Sequence, residues 1–570
     1  MAMSKPRKPH TALAAGKNLA AVMPTPTELL SRRLFYVLFA SLFVMVLAVY
    51  WPSLHYQFVL DDHGQILDNP RVQSPGFVAT YFTQDVWGAH GGKITNWYRP
   101  LFLLWLRLDY ILYGLSPWGW HLGGILIHLL ATALLAALVW MLTGNRVGVL
   151  LAAGLFALHP AKTESVAWVS AITDPLMTVG VLSALLLCLK YQEPNLADVN
   201  LGHKKTSNRR WPSVWWLIGS VACYSAALLA KEPAVILPVV VFALALARPR
   251  VSKTAAKKGR APRSRVSHAF LTTSPFLVVT TAYLVLRWHV VGALIAAEME
   301  HLPRSTVLLS WPAALWFYVR VLIWPVRMRA FADSPLANAF SLRGILLPAV
   351  GVAGVVVLCG VALRKILQQG RRSDQQAANV KAAVVVGGLL LVLPILPALN
   401  LNALMPGDLL CGRYSYLPSA GLAILLAAGW QVVDETRRRK AGAAFLSAAG
   451  IVALVFLGLT LQQESAWADD LSLWSAAHQV APHNWLVAWN LASELRHAGR
   501  NKEAVAVYQG ETEQHPDNGD AWIALSGCYI ELGDLANAER SLERAAQLKS
   551  DMRIKMQLWN LQNLQRLKGE

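Results

Sequence analysis

Repeated apolar runs of membrane-spanning length constrain this chain more than any other feature. A helix needs about 20 apolar residues to cross the roughly 30 Å hydrocarbon core of a bilayer. Hydrophobic residues make up 55% of the 570 residues and charged residues only 15%, whereas soluble domains carry about 25% charged residues. The pattern predicts a polytopic membrane protein and excludes a disordered chain and an ordinary soluble enzyme. The eleven predicted spans are 34–51, 121–142, 146–160, 165–189, 213–230, 233–247, 268–290, 343–363, 382–399, 414–432 and 443–461.

The placement of positive charge predicts which side of the membrane each loop faces. Twenty-eight of the 52 Lys and Arg residues lie in five short segments. Lys and Arg accumulate in cytoplasmic loops, and eleven spans with an internal N-terminus place all five segments in the cytoplasm. A twelfth span at 306–324 would break this pattern, so we predict that this run is re-entrant or interfacial. Because these segments lie between apolar runs, their charge indicates membrane topology, and we expect no nucleic-acid partner. The basic segments are 1–33, 190–211, 248–267, 364–381 and 433–442.

This topology predicts three parts of the chain. They are a basic cytoplasmic tail at 1–33, a transmembrane domain at 34–461 with a long outer loop at 52–120, and an extracytoplasmic domain at 462–570. The residues before the first span show no small-residue cleavage site, so we expect an uncleaved anchor. Within the outer loop, the amphipathic stretch 99–116 predicts a helix on the membrane surface.

The C-terminal segment repeats with a period of 34 residues, so that Leu491 corresponds to Leu525. This period is typical of tetratricopeptide repeats, in which each unit is a pair of packed helices. We predict a short α-solenoid that begins with half a repeat at 469–483 and ends with a capping helix at 552–568. Its concave surface is a candidate peptide-binding surface, and a stabilising plug against the outer loop or a dimer contact remains an alternative.

Charged and aromatic residues recur in the turns that the topology places outside. Asp61 and Asp62 could supply a general base or a cation ligand, although adjacent residues do not share a face. Basic groups in other outer turns could hold a phosphate. Each alone is also explained as a solvated or anchoring residue, but together they predict a site for an anionic ligand with a lipid tail. The predicted binding residues are Tyr98, Arg99, Lys162, Lys231, Arg413, Tyr414 and Tyr416, and the supporting ones are His159, Glu164, Asp174, Glu232 and Arg287.

Cysteine and histidine positions predict no metal centre. The five cysteines are scattered without a CxxC spacing, so neither a disulfide framework nor a zinc site is expected. His121 and His128 lie on one face of a predicted span, where packing between helices is the favoured interpretation. A divalent cation between the outer carboxylates and a phosphate stays open.

The order of the outer motifs resembles that of the transmembrane-and-tetratricopeptide-repeat O-mannosyltransferases, which are GT-C membrane glycosyltransferases. The motifs are DDHGQILDNPRV, YRPL, GWHLGGILIH, LFALHPAKTESVAW, AKEPAVILP and RYSYLPS, followed by the repeats, and together they cover about 50–550. The resemblance implies an all-α GT-C fold, a polyprenyl- or dolichyl-phosphate-linked sugar donor and inverting transfer to a hydroxyl. It also implies acidic residues of the active site in the first outer loop, which Asp61 and Asp62 match.

Two motifs depart from the family pattern. Gly412 stands where a Glu commonly precedes the Arg-Tyr motif, and AITD at 171–174 keeps only the acid of a Gly-Arg-Ala-Asp/Glu pattern. The short loops and compact tail resemble those of a bacterial member. That resemblance implies undecaprenyl phosphate as the lipid, a location in the cytoplasmic membrane and repeats on the periplasmic side.

Together these observations predict a glycosyltransferase that moves a mannose-like sugar from a lipid phosphate to a hydroxyl, with protein Ser or Thr as the expected acceptor. Asp61 or Asp62 would orient or deprotonate the hydroxyl, with Asp62 preferred, and the basic groups would stabilise the departing phosphate. Three alternatives remain: a glycolipid or polysaccharide acceptor, a non-catalytic membrane scaffold whose repeats recruit partners, and a transporter. A transporter would show paired inverted repeats, and the two halves of the chain share no such similarity.

Overall fold

The computed structural model describes residues 30–88, 95–192, 211–248, 264–293, 302–326, 331–333, 336–368, 374–404, 408–435, 439–549 and 551–568. Most of the basic segments 1–33, 190–211 and 248–267, and part of 364–381 and 433–442, lie outside these ranges. The orientation inferred from those charges therefore stays a prediction.

Every regular element in the described ranges is a helix, as predicted. A membrane leaves backbone groups no water to bond with, so spanning segments must satisfy their hydrogen bonds internally. The helices are α1 Arg32–Tyr50, α2 Pro100–Tyr113, α3 Pro117–Thr143, α4 Arg146–Leu158, α5 Thr163–Ala167, α6 Thr173–Gln192, α7 Trp211–Ala230, α8 Leu237–Ala247, α9 Arg265–Val291, α10 Arg304–Ile323, α11 Leu347–Gln368, α12 Asp374–Val392, α13 Tyr416–Glu435, α14 Arg439–Glu464, α15 Asp470–His478, α16 Trp485–His497, α17 Asn501–Gln514, α18 Gly519–Glu531, α19 Leu535–Leu548 and α20 Met552–Lys568. Short 3₁₀ and π turns join several of them.

The helices of the N-terminal four fifths form a membrane domain. Within the described residues, nine helical segments are long and apolar enough to cross a bilayer, and three shorter apolar helices accompany them. All eleven predicted spans coincide with one of these twelve segments, and the remaining one is α10. The chain is therefore an integral, multi-pass membrane protein. The outer-loop helix α2 lies within the amphipathic stretch predicted to form it.

Helix α10 covers the run predicted to be interfacial. At its C-terminal end, the Leu322 carbonyl accepts a hydrogen bond from His159 Nε2 at 3.1 Å. Just before its N-terminal end, the Leu302 N–H donates to Asn402 Oδ1 at 2.9 Å. Both partners belong to turns on the predicted outer side, so these contacts agree with a helix along the outer face, although its 20 residues are long enough to span.

The predicted span at 165–189 begins too early. Residues 163–172 form two short helical pieces, α5 and the 3₁₀ turn Val169–Ile172, and α6 begins only at Thr173. The sequence does not show this break, because hydropathy cannot distinguish apolar residues buried inside the protein from apolar residues that face lipid. The broken segment is buried throughout, and it brings Glu164 and Trp168 to the outer end of the domain.

Helices α15–α20 form the predicted solenoid. The pairs α16–α17 and α18–α19 are the two repeats, preceded by the single helix α15 and closed by α20. The repeats also meet the membrane domain: Trp467, in the turn before α15, stacks on Trp168 with ring centroids 5.6 Å apart, and Trp474 stacks on Phe331 at 4.9 Å. These contacts agree with the plug-like alternative for the tail and do not conflict with a peptide-binding surface.

Candidate active site

A pocket lies where the first outer loop meets the α5–α6 segment and the turns before α8 and α13. Five of the predicted site residues line it. These are Asp61, Arg99, Lys231, Arg413 and Tyr414, and the other lining residues are Gln65, Val86, Trp97, Phe102, Trp168, Ser170, Ala171 and Thr173. Residues from five distant parts of the sequence thus converge on one side of the membrane domain, the side that the topology predicts to be outer.

The two adjacent carboxylates point to different surroundings. Asp62 is fully buried. Its Oδ1 accepts hydrogen bonds from the Ser170 N–H at 2.9 Å and the Ser170 hydroxyl at 2.5 Å, and its Oδ2 accepts from the Val59 N–H at 3.1 Å. Asp61 instead lines the pocket and is partly exposed. The geometry therefore favours Asp61 over Asp62, the base preferred from the sequence: Asp62 ties the outer loop to Ser170, and Asp61 faces the pocket.

Both carboxyl groups are more easily protonated than in water. Burial raises the pKa of Asp61 to about 6, against the opposing effect of Arg413. Burial raises the pKa of Asp62 to about 7, although its hydrogen bonds to Ser170 and Val59 favour the charged form. A carboxylate with a pKa near 6 is still largely ionised at neutral pH and is a stronger base than an ordinary aspartate.

Arg99 reaches the pocket from the residue before α2 and is held by Glu232. Its Nη2 and Nε donate to Glu232 Oε2 and Oε1 at 2.8 and 3.1 Å. Arg287 adds a second positive charge, with Nη1 3.7 Å from Glu232 Oε1. The carboxylate thus fixes the orientation of Arg99, and the guanidinium has five N–H donors, more than this pairing needs.

Lys231 and Asp174 form a second, almost completely buried pair. Lys231 Nζ lies 2.6 Å from Asp174 Oδ2, and the two side chains are 2% and 3% exposed. The ammonium also lies 4.8 Å from the centroid of the Tyr414 ring. A buried ion pair of this kind restricts the position of the lysine at the pocket wall.

Arg413 bridges two carboxylates. Its Nη1 donates to Glu164 Oε1 at 2.6 Å, its Nη2 donates to Asp408 Oδ2 at 3.0 Å, and its backbone N–H donates to Glu164 Oε2 at 2.9 Å. A Cβ added at Gly412 would lie only 3.1 Å from Glu164 Oε2. A larger residue at 412, such as the Glu common in the family motif, would crowd Glu164, so Gly412 suits this close approach.

Nine other predicted residues do not line the pocket. Glu164, Asp174, Glu232 and Arg287 belong to the ion pairs described above, and the other five are Asp62, Tyr98, His159, Lys162 and Tyr416. Lys162 is buried and donates to the Tyr416 carbonyl at 2.7 Å and to the Ser419 hydroxyl. The Tyr416 hydroxyl bonds His128 Nδ1 at 2.6 Å. His159 accepts from the Ala161 N–H and the Tyr98 hydroxyl donates to the Phe82 carbonyl. With Asp62, these side chains support the turns around the site, and the contact of His128 agrees with the packing role expected for it.

Sequence reasoning missed several residues of the site. Asp408 precedes the RYSYLPS motif by five residues, and a second acid near that motif was the available signal. Trp97, Trp168 and Ser170 lie inside or beside recognised motifs, but only the fold shows that they reach the pocket. Within the part of the chain that the structure describes, no three His, Cys, Asp or Glu side chains cluster in a way that could hold a metal ion.

Comparison with known proteins matches the repeat region to a family model and most of the chain to curated relatives. A family model for the tetratricopeptide repeat matches residues 495–555. Human protein O-mannosyl-transferase TMTC1 is 28% identical over 502 residues, which cover 83% of this chain and 54% of that protein. Mouse protein O-mannosyl-transferase TMTC4 is 27% identical over 507 residues, with coverage of 79% and 63%. The chain thus spans between about half and two thirds of the length of these relatives.

Two solved membrane enzymes align over most of the chain with low scores. The archaeal oligosaccharyltransferase AglB from Archaeoglobus fulgidus, in complex with an inhibitory peptide and a dolichol-phosphate, has a TM-score of 0.39 and 11% identity and covers 80% of this chain and 59% of its own. ArnT from Cupriavidus metallidurans, bound to undecaprenyl phosphate, has a TM-score of 0.37 and 17% identity, with coverage of 90% and 80%. Scores this low relate no individual residues. The sequence relatives confirm the resemblance drawn from the motifs: over about four fifths of its length, this chain is similar to the protein O-mannosyl-transferases of the transmembrane-and-tetratricopeptide-repeat family.

Proposed function

We propose that the chain is a membrane glycosyltransferase of the GT-C class that transfers a mannose-like sugar from a polyprenyl-phosphate donor to a hydroxyl, with protein Ser or Thr as the acceptor. One observation carries the proposal: a carboxylate with a raised pKa, Asp61, faces a pocket that Arg99, Lys231 and Arg413 also line. A base and several cations around one space are what transfer from a phosphate leaving group requires.

The reaction is a single displacement. The acceptor hydroxyl oxygen attacks the anomeric carbon while the bond from that carbon to the phosphate oxygen breaks. Asp61 takes the hydroxyl proton, and the bond electrons leave with the lipid phosphate. One glycosidic bond forms as one glycosyl phosphate bond breaks, and the configuration at the anomeric carbon inverts.

The basic groups act on the departing phosphate. Arg99 and Arg413 have N–H donors beyond those their carboxylate partners take, so they can hydrogen-bond phosphate oxygens without losing their orientation. Lys231 adds a point charge at the same wall. Because each cation already has a carboxylate partner, we expect moderate affinity for the free lipid phosphate, which favours its release after transfer.

Aromatic residues give the pocket a surface for the sugar and for the start of the lipid. Trp97 and Trp168 line it, and the guanidinium carbons of Arg99 and Arg413 lie 5.6 and 5.3 Å from their ring centroids. A divalent cation is compatible with Asp61 and a donor phosphate, but Asp62 is held by Ser170 and Val59 and would not join it.

The test is transfer in proteoliposomes supplied with labelled polyprenyl-phosphate sugars and a protein extract as acceptor. Wild type should place label in the protein fraction. Asp61→Asn should abolish labelling, while Asp68→Asn, an exposed carboxylate of the same loop, should retain it. Label in the lipid fraction alone would support a glycolipid acceptor, and full labelling by Asp61→Asn would refute the role of Asp61. No transfer from any donor by wild type would favour the scaffold alternative.

A further inference from the structure

The backbone immediately before Asp61 is strained. Leu60 has φ of 58°, and among the described residues it is the one non-glycine residue with a positive φ. A left-handed conformation is sterically unfavourable for a residue with a Cβ. Such strain persists only where surrounding contacts hold it, and it is common at functional sites.

The contacts that hold Leu60 come from the C-terminal domain. Asp470, the first residue of α15, accepts a hydrogen bond from the Leu60 N–H at 2.9 Å through Oδ1. Its Oδ2 lies 2.7 Å from His63 Nε2. Asp470 therefore binds the outer loop at Leu60 and at His63, on both sides of Asp61 and Asp62, although it lies about 400 residues further along the chain.

Asp470 is not needed to cap its own helix. The preceding residue, Asp469, is the N-cap of α15, and its side chain accepts from the Ser472 N–H at 2.7 Å. The side chain of Asp470 is 19% exposed, so its bond to the Leu60 N–H is partly buried, whereas the His63 side chain is 47% exposed. Two acidic residues in sequence thus have separate roles, one within the helix and one toward the loop.

Neighbouring contacts join the same two regions. The Gln57 N–H donates to the Ala468 carbonyl at 2.9 Å, and the buried Ser53 N–H donates to Glu464 Oε1 at 3.0 Å. Val59 is buried in one apolar cluster with Leu473 and Trp474 of α15. The outer loop from 53 to 63 is therefore bound along its length to the junction between α14 and α15.

We propose that Asp470 is a positioning residue for Asp61, so that the junction leading into the repeats sets the geometry of the candidate base. This inference rests on the proposed function. Without the carboxylate of Asp470, Leu60 can relax to a negative φ, which would rotate the following residue and move the Asp61 carboxylate from its place in the pocket. The domain that contains the repeats then contributes to the transfer step itself, whichever acceptor is used.

Kinetics of four variants test the inference. Asp470→Ala should lower kcat by about 10- to 100-fold, the loss expected when a reacting group is displaced by about 1 Å, with the KM for the donor little changed. Asp470→Asn keeps an acceptor oxygen for Leu60 and should lose less. Asp517→Ala, which removes an exposed carboxylate of the repeat region, should match wild type.

The decisive variant is Leu60→Gly combined with Asp470→Ala. Glycine adopts a positive φ without the steric cost, so the double variant should recover most of the lost kcat. If Asp470 only stabilised the contact between the outer loop and α15, the added Leu60→Gly change would remove apolar contacts of that interface and lower activity further. Failure of the glycine to rescue, or a wild-type kcat for Asp470→Ala, would overturn the positioning role while leaving the proposed function intact.

Hydrogen exchange separates this inference from the proposed function. In Asp470→Ala, amides of the peptide that contains residues 57–63 should exchange faster than in wild type, while those of Asp517→Ala should not. Unchanged exchange of these amides in Asp470→Ala would refute the positioning role of Asp470. Faster exchange would support it even if wild type transferred no sugar, a result that would refute the proposed function alone.

Discussion

Removing the carboxylate of Asp174 tests whether buried ion pairs hold the pocket together. Lys231 Nζ lies 2.6 Å from Asp174 Oδ2, and both side chains are at least 97% buried, since they are 2% and 3% exposed. Asp174→Asn would leave the lysine without its counterion close to Arg99 and Arg413, whose charges already disfavour its protonated form. Breaking a buried pair by removing one partner costs about 3–5 kcal/mol.

That cost corresponds to a measurable thermal shift. An unfolding entropy of about 2.1 cal/mol/K per residue gives roughly 1.2 kcal/mol/K for the whole chain, so the midpoint should fall by about 3–4 °C. Unfolding in detergent can be followed with a thiol-reactive dye in a Cys359→Ser background, because Cys359 is exposed whereas Cys188, Cys411 and Cys528 are buried free thiols. The same preparation gives the fraction of folded protein for activity measurements.

A variant that removes both charges separates the effect of the unpaired lysine from the loss of the pair. Asp174→Asn with Lys231→Met removes both charges and keeps similar volumes, a change that is often neutral or stabilising for a buried pair. Its midpoint should return close to that of wild type, yet transfer should stay low because the pocket lacks Lys231. A wild-type midpoint for Asp174→Asn, or a double variant no more stable than the single one, would refute the argument from buried charge.

Three further predictions follow from the site and the helix packing. The kcat/KM for transfer should fall about tenfold per pH unit below about 6, because Asp61 must be deprotonated to act as a base and its pKa is about 6; a flat acid limb would contradict this. Arg413→Lys should lower kcat/KM by about 10- to 100-fold, because lysine cannot bridge two carboxylates as the guanidinium does. Wild-type kinetics of this variant would show that the bridge between Glu164 and Asp408 is dispensable. Gly421→Val should reduce the yield of monodisperse protein in size-exclusion chromatography, since a Cβ there collides with the backbone of Leu391, whereas Gly450→Val, at a position with no atom within 4 Å, should not.

The membrane helices and repeats were predictable because their signals are local. Apolar runs mark the spans, and a 34-residue period marks the solenoid, independently of what each helix packs against. The error at 165–189 arose where this signal is ambiguous, because most residues of 163–172 are apolar and the segment is buried inside the protein. The segment is folded into short turns that carry Trp168 to the pocket and Glu164 to Arg413.

The site was predictable as a set of residues and not as an arrangement. Outer topology brings Asp61, Arg99, Lys231 and Arg413 to one side, and the structure places them around one pocket. No local pattern shows that Arg99 pairs with Glu232 across 133 residues. The distinct surroundings of Asp61 and Asp62 likewise depend on Ser170, which only tertiary structure brings to Asp62.

The central claim is that Asp61 acts in the chemical step of sugar transfer, and a single-turnover measurement tests it most directly. Reconstituted protein would be loaded with a labelled polyprenyl-phosphate sugar and mixed with excess acceptor, with bound donor quantified before mixing. If Asp61 is the base, Asp61→Asn should bind the donor as wild type does and transfer it at least about 100-fold more slowly, the lower range for loss of a general base. Transfer by Asp61→Asn at the wild-type rate would contradict that role.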